Sequence, residues 1–220
     1  MSKRAIVGSD QSAVPRRVVA SERDRELLRL VGEQCALTQP QLADAIGRTV
    51  HTARWLRSRW QRAGWVTAGL LLAGRPVFVW LTPAGQRVAG LDYRLWRPAA
   101  STRVEHIAAC ADVRLFVMER RPGAKWVCER ELLRRWRRDG LMLHRPDAEV
   151  VTAEGTAAVE VERTLKGRRR FERIAGELQA RYEAAWYFAP RASCGRLSEW
   201  ARGAGLTRVQ VVELPEPRTR

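Results

Sequence analysis

The stretch TQPQLADAIGRTVHTARWLRSRWQRAG, residues 38–64, decides the fold of the first part of the chain. Thr38 and Gln41 have the spacing of a capping box, in which two side chains satisfy the free amides at a helix start. Gly47 can end this short helix, and Thr49 can cap the next one. The second helix carries an apolar stripe at helical spacing, formed by Val50, Ala53, Leu56 and Trp60. The stretch therefore predicts two helices joined by a tight turn.

The flanking segments extend this pattern in both directions. Upstream, Ser21 and Asp24 can cap a helix that we expect to end near Ala36. Downstream, the apolar runs 65–72 and 76–81 are separated by the basic tip 73–75, which predicts a β-hairpin, and Thr82 with Pro83 then opens a closing helix. This order, with the segment VFVWLTPAGQRVAG, resembles a winged helix-turn-helix over residues 21–91.

The helix that follows Thr49 has a uniformly basic outer face. No acidic residue lies between Arg48 and Arg62, and the apolar stripe accounts for the inner face. A recognition helix enters the major groove of DNA with its N-terminal residues leading, so base edges and phosphates are the expected contacts of Arg48, Thr49, His51, Thr52, Arg54 and Trp55. We expect the flanking phosphates to be bound by Arg57, Arg59 and Arg75. The alternative is a solvated face in an arginine-rich protein.

Composition supports a polyanionic partner and excludes several classes of protein. Forty Lys and Arg against 24 Asp and Glu give a net charge of +16, which favours nucleic acid. Hydrophobic residues form 45% of the chain, so a packed core is expected and wholesale disorder is not. The longest apolar runs are too short to cross a membrane and the N-terminal sequence does not resemble a secretion signal, so we expect a cytoplasmic protein. Neither the four cysteines nor the three histidines have the sequence spacing of a zinc site, and we expect the cysteines to be buried thiols.

A second domain is expected to begin after a joint at residues 92–100. Ser101 can cap a first helix there, and the rest of the pattern predicts a strand at 126–132, a basic loop at 134–140, strands at 147–152 and 156–163, a helix at 166–183, a strand at 184–189, a helix at 194–203 and a strand at 209–214. The order is αβββαβαβ. The predicted organisation is α+β, with a basic arm at 1–20, a winged helix-turn-helix at 21–97, a second domain at 98–214 and a basic tail at 215–220.

Four acidic residues mark the hairpin of this second domain. Glu160 and Glu162 are two positions apart in a strand, so both side chains point to one face. A two-residue turn at 154–155 would pair Asp147 with Glu162 and Glu149 with Glu160. Like charges placed this closely repel, and relief must come from protonation, from basic neighbours, or from a divalent cation such as Mg²⁺ or Mn²⁺.

The motifs RPDAEVV (145–151) and VEVERTLK (159–166) resemble those of the PD-(D/E)xK nucleases, which share a restriction-endonuclease-like αβββαβ fold. The resemblance implies that Asp147 and Glu160 hold a metal ion and that Glu162 and Lys166 assist catalysis. The family normally places a lysine two positions after the second acid, where this chain has Glu162, so Lys166 would have to supply the amine. The alternative is that the acids form salt bridges with Arg145, Arg163 and Arg168.

Both predicted domains together resemble one protein family. The winged helix, followed by VEHIAACADVRLF (104–116), HRPDAEVV (144–151) and AAVEVERTLKGRRRFERIAGELQARY (157–182), resembles the replication-relaxation proteins of actinobacterial plasmids and integrative elements. The resemblance implies binding of double-stranded DNA in plasmid replication or conjugative transfer. Two alternatives stay open: a metal-dependent nuclease or nickase that uses the acidic hairpin, and a transcription regulator with a C-terminal interaction domain. A homodimer and contacts with replication or transfer proteins also stay open.

Overall fold

A computed structural model describes residues 18–98, 103–140 and 144–218 of the chain. Its first part contains α1 (Glu22–Glu33), β1 (Ala36–Thr38), α2 (Gln39–Ile46), α3 (Val50–Arg62), β2 (Val66–Gly69), β3 (Phe78–Leu81) and α4 (Pro83–Val88). The three strands form an antiparallel sheet in the order β1-β3-β2. Together with the second sheet described below, this confirms the α+β class.

The predicted helix caps are present because each depends on residues close together in the chain. Ser21 with Asp24 and Thr38 with Gln41 form complete capping boxes, and the Thr49 hydroxyl accepts the amide of Thr52. The first helix is shorter than predicted: it ends at Glu33, because residues 36–38 form β1 and pair with β3.

The second part contains α5 (Val104–Arg120), β4 (Lys125–Cys128), α6 (Glu129–Asp139), β5 (Ala148–Thr152), β6 (Gly155–Val161), α7 (Arg168–Arg181), β7 (Ala184–Ala189), α8 (Arg191–Gly203) and β8 (Val209–Glu213). The five strands form one mixed sheet in the order β4-β5-β6-β7-β8. The pairs β4–β5 and β5–β6 are antiparallel, and β6–β7 and β7–β8 are parallel. Helix α5 packs on one face of the sheet, and α7 with α8 pack on the other.

Two predictions for this part are wrong. Residues 126–140 are predicted as a strand at 126–132 and a basic loop at 134–140, but the strand ends at Cys128 and α6 occupies residues 129–139. Leu132 and Trp136 are buried one turn apart in this helix, which interrupts the predicted αβββ order. The hairpin register also differs: Thr152 pairs with Gly155, and Glu149 faces Ala158 rather than Glu160. The turn residues are therefore 153–154, one position earlier than predicted.

Other predictions fall partly or wholly outside the described residues. The Ser101 cap lies outside them, as do residues 1–17 of the predicted basic arm and 219–220 of the predicted tail. All four cysteines lie in the described ranges and are free thiols; Cys128 is buried as predicted, whereas Cys35, Cys110 and Cys194 are only partly buried. Across the described ranges, every helix is too short or too polar to span a bilayer.

Polar contacts tie the two parts of the chain together. The Gln41 side-chain amide on α2 donates to the carbonyl of Ala108 and to the carboxylate of Asp112 on α5, both at 2.8 Å. Arg114 on α5 forms an ion pair with Glu33 on α1 at 2.8 Å, and Arg218 reaches Asp44 of α2 at 2.7 Å. The α2–α5 contact is therefore held by a buried carboxylate and a buried amide.

Asp112→Asn is expected to stabilise the protein at neutral pH. Burial raises the pKa of Asp112 to about 6, although Gln41 and the backbone and charge of Arg218 act in the opposite direction. Because folding raises the pKa of this acid, the folded protein loses stability as the pH increases from the unfolded pKa near 4 towards 6. The gain in the free energy of unfolding from asparagine should therefore be small at pH 4 and reach about 2 kcal/mol at pH 8. The upper limit is about 1.4 kcal/mol for each unit by which the pKa is raised. The gain stays below this limit because the Arg218 amide loses an acceptor.

Urea denaturation of both proteins at pH 4 and pH 8 measures this difference. The exposed Asp92, changed to Asn, is the matched control and should give the same free energy of unfolding as the wild type at both pH values. A pH-independent difference for Asp112→Asn would contradict the burial argument.

Candidate functional site

The N-terminal half of α3 presents an exposed polar and basic surface. Arg48, just before the helix, and His51, Thr52 and Arg54 within it are exposed, and the Trp55 side chain is 59% exposed. Thr49 is used as the helix cap. Ala53 and Trp60 of the same helix are fully buried, so the apolar stripe faces the core as predicted. The structure thus separates a packed face from an exposed basic face on α3.

Of the three arginines predicted to contact flanking phosphates, two are already paired within the protein and the third is half-buried. Arg57 donates to the Gln39 side chain at 2.9 Å. Arg59 forms an ion pair with the buried Asp24. Arg75 is half-buried, and its charge lowers the pKa of Asp112. Within the predicted set, Arg48 and Arg54 are therefore the exposed arginines at the leading end of the helix.

The structure brings Asp147, Glu160, Glu162 and Lys166 to one region around the start of β5 and the end of β6. One Asp147 oxygen accepts the backbone amide of Val161 at 2.8 Å, and the other lies 2.9 Å from His106 Nε2. Glu162, which is 4% exposed, pairs with Lys166 Nζ at 3.0 Å. The predicted pairing of Asp147 with Glu162 is replaced by a contact between Asp147 and the β6 backbone.

Glu160 is the most strongly perturbed acid of this group. Its side chain is almost fully buried, and its carboxylate lies 3.0 Å from His144 Nε2. Burial raises the pKa of Glu160 to about 7; the hydrogen bond with His144 opposes the rise and the charge of Asp147 adds to it. Glu149 has separate partners, because it accepts from the Tyr182 hydroxyl at 2.8 Å and from Arg135 at 3.3 Å.

Basic neighbours relieve the repulsion between these carboxylates. The partners are His106 for Asp147, His144 for Glu160 and Lys166 for Glu162. The arginines expected for this role pair elsewhere: Arg145 with Glu129, Arg163 with Glu105, and Arg168 with Glu172. The acids therefore have basic neighbours, but the three arginines named in the salt-bridge alternative are not among them.

His106 and Cys110 are site residues that the sequence reasoning missed. Their ligand atoms and a carboxylate oxygen of Asp147 all lie within 4.8 Å of one another, a grouping that could hold a metal ion. The two residues are four positions apart on α5 and therefore share a face. That spacing was the available signal, but the partner Asp147 lies far along the chain. Burial alone would lower the pKa of His106, but the hydrogen bond that it donates to Asp147 and the charge of that carboxylate raise it overall; burial raises the pKa of Cys110.

The three residues lie at the wall of a cavity of about 1010 Å³ between the two parts of the chain. The cavity is lined by arginines and aromatic residues as well, among them Arg94, Arg97, Arg103, Arg137, Tyr93 and Trp96. Arginines outnumber acids seven to four in this lining, so the cavity beside Asp147 has a net positive charge.

A hard cation such as Mg²⁺ fits this arrangement less well than the sequence suggested. Mg²⁺ prefers an octahedral set of oxygen ligands. Both Asp147 oxygens already accept hydrogen bonds, and the Glu160 carboxylate is engaged by His144. Imidazole and thiol ligands, which stand beside Asp147 here, favour a softer ion.

Comparison with known proteins assigns the chain to no family. No protein-family model matches it, and a search of curated proteins finds no match either.

Proposed function

We propose that the protein binds double-stranded DNA through α3. The observation that carries this proposal is the exposed face of that helix, on which Arg48, Arg54 and Trp55 stand clear of the core. The order α1-β1-α2-α3-β2-β3 and the sheet order β1-β3-β2 are typical of a winged helix-turn-helix, which favours α3 as the helix that enters the major groove. The net charge of +16 supports the same kind of partner.

The exposed residues of α3 divide into two kinds of contact. Arg48 and Arg54 suit phosphates and guanine edges, which guanidinium groups bind in bidentate fashion. His51 and Thr52 suit base edges or phosphates near the start of the helix. Arg57 and Arg59 already have partners within the fold and Arg75 is half-buried, so phosphate contact would depend chiefly on Arg48 and Arg54.

We further propose that this DNA binding serves plasmid or mobile-element replication or conjugative transfer. Support comes from the resemblance of residues 144–151 and 157–182 to the replication-relaxation proteins, together with the basic first part. A transcription regulator with a C-terminal interaction domain would use the same helix. DNase footprinting on the protein's own promoter, compared with a plasmid origin or transfer region, distinguishes these two roles.

Arg54→Ala is expected to weaken DNA binding about three- to tenfold and to reduce the slope of log K against log salt by about one, since one phosphate contact is lost. Arg54 is the appropriate position because it is exposed, whereas Arg57 and Arg59 have internal partners whose loss would disturb the fold. Fluorescence anisotropy with a labelled duplex at several salt concentrations measures both quantities.

Arg196→Ala is the matched control. Arg196 is exposed on α8 and forms no ion pair within the described ranges, so its loss changes the net charge equally at another site. Binding by this control should stay close to wild type. Equal losses from both variants would assign the affinity to net charge and would contradict a specific role for α3.

A metal-dependent nuclease is the second candidate, favoured by the convergence of Asp147, Glu160, Glu162 and Lys166. Such an enzyme would use Asp147 and Glu160 for Mg²⁺ or Mn²⁺, and their contacts with His106 and His144 would have to open first. Incubation with supercoiled plasmid in Mg²⁺ or Mn²⁺, with Asp147→Ala and the exposed Glu183→Ala in parallel, tests it. If the wild type and Glu183→Ala nick the plasmid and Asp147→Ala does not, the protein is a nuclease. If all three proteins bind the plasmid and none nicks it, the protein binds DNA without cleaving it.

A further inference from the structure

The trio His106, Cys110 and Asp147 combines three kinds of metal ligand at one point. Helix α5 supplies an imidazole and a thiol one turn apart, and the segment that enters β5 supplies a carboxylate. Catalytic zinc sites commonly use three protein ligands of these classes and leave a fourth position open. The trio therefore has the composition of such a site.

The distances within the trio are close to those that a tetrahedral ion requires. His106 Nε2 lies 2.9 Å from Asp147 Oδ1 and 3.4 Å from Cys110 Sγ. Zinc bond lengths of about 2.0 Å to nitrogen and oxygen and about 2.3 Å to sulfur give separations of about 3.3 Å for the first pair and about 3.6 Å for the second. These two distances differ from the required ones by a few tenths of an ångström, and the third, between Asp147 Oδ1 and Cys110 Sγ, is within 4.8 Å.

The surroundings of the trio hold the Asp147 carboxylate in place and leave room for a fourth, external ligand. The Val161 amide holds Asp147 Oδ2 at 2.8 Å, which orients Oδ1 towards His106 in the way that outer hydrogen bonds orient metal ligands. All three residues line the cavity between the two parts of the chain, so water or an anion can reach a fourth position.

We propose that His106 Nε2, Cys110 Sγ and Asp147 Oδ1 bind one divalent transition-metal ion of the zinc class, with the fourth position open to the cavity. On binding, the Cys110 thiol releases its proton to solvent and the sulfur bonds to the metal as a thiolate. The ion takes the place of the hydrogen bond between His106 Nε2 and Asp147 Oδ1, and the Nε2 proton of that bond is also released to solvent. The thiolate and imidazole select against Mg²⁺ and Ca²⁺, which take oxygen ligands.

Cobalt titration of the untagged full chain tests the site directly, because Co²⁺ adopts zinc geometry and absorbs light. The expected result is one Co²⁺ per chain, with a thiolate-to-cobalt charge-transfer band in the near ultraviolet and visible bands typical of tetrahedral cobalt. Zn²⁺ should displace Co²⁺ and abolish both signals, whereas a large excess of Mg²⁺ should leave them unchanged.

Cys110→Ser and His106→Asn should lose the charge-transfer band or weaken metal binding by at least tenfold. Cys194→Ser is the matched control, since Cys194 lies on α8 and its thiol contacts the carbonyls of Ala189 and Pro190. Circular dichroism of each apo variant establishes folding; if Cys110→Ser is unfolded, His106→Asn and Asp147→Asn carry the test.

A thermal melt gives a second readout. Zn²⁺ should raise the Tm of the wild type and of Cys194→Ser but not that of the site variants, because a ligand bound to the native state stabilises it. A wild type without the charge-transfer band, or a band that persists in Cys110→Ser, overturns the proposal. DNA takes no part in these measurements, so their outcome is independent of DNA binding.

Discussion

Gly85→Ala is expected to destabilise the first part of the protein by about 3 kcal/mol or more. A Cβ atom added at Gly85 would stand 1.8 Å from the carbonyl oxygen of Trp65 and 2.8 Å from its carbonyl carbon. The obstacle is backbone, and it cannot rotate away. The same oxygen accepts the amide of Thr82 at 3.0 Å, so moving it would disturb the entry to α4 as well.

Urea denaturation followed by tryptophan fluorescence measures this loss. Gly176→Ala on α7 and Gly195→Ala on α8 are matched controls, since an added Cβ at either position meets nothing within 4 Å among the described residues. Alanine favours a helix over glycine, so these variants should be stabilised by up to about 1 kcal/mol. A Gly85→Ala protein as stable as the wild type would contradict the close approach of α4 and Trp65.

Asp24→Ala is expected to cost about 3 kcal/mol of stability at neutral pH. Asp24 is 2% exposed; it accepts the Trp60 indole N–H at 2.8 Å, pairs with Arg59, and completes the capping box with Ser21. Truncation leaves a buried indole donor without its acceptor and removes part of a helix cap. Asp24→Asn keeps an acceptor for Trp60 and should lose less.

The pH dependence provides a check on this reading. Burial alone would raise the pKa of Asp24, but the hydrogen bonds from Trp60 and Ser21 and the charge of Arg59 lower it overall. A lowered pKa adds stability above the unfolded value near 4, and that stability is lost as the pH falls. The gap between the wild type and Asp24→Ala should therefore narrow in acid. Glu22→Ala, at an exposed position in the same first turn, should change the free energy of unfolding much less. An equal loss of stability in both variants would assign the effect to the charge at the helix N-terminus.

Local features of this fold could be predicted from the sequence because they depend on neighbouring residues. The caps at Ser21, Thr38 and Thr49 each join groups three positions apart, and the β2–β3 and β5–β6 hairpins join adjacent segments. The three-residue strand β1 was missed because it pairs with β3, about 40 positions away, and carries too few residues to show an alternation of its own.

The errors in the second part have equally specific causes. Arginines on α6 obscured the stripe made by Leu132 and Trp136, so a helix was taken for a loop. Moving the hairpin turn by one residue shifted every cross-strand partner by two positions. Side chains alternate along a strand, so Glu160 and Glu162 kept their shared face although their partners changed.

The candidate site shows where prediction from sequence reaches its physical limit. Asp147, Glu160, Glu162 and Lys166 could be found because they lie on one hairpin and its continuation. His106 and Cys110 reach the same place through the packing of α5 on the sheet, and His144 through the path of the chain before β5. Periodicity gives the face of a helix but not which strand that face meets.

The mixed pairing of the second sheet also bears on the order in which the chain folds. Strands β5 and β6 pair antiparallel across a two-residue turn, whereas a helix lies between β4 and β5, between β6 and β7, and between β7 and β8. Closing these helical connections costs chain entropy before the strands pair, which slows folding. We expect β5 and β6 to acquire amide protection from hydrogen exchange first, and the edge strands β4 and β8 to acquire it later.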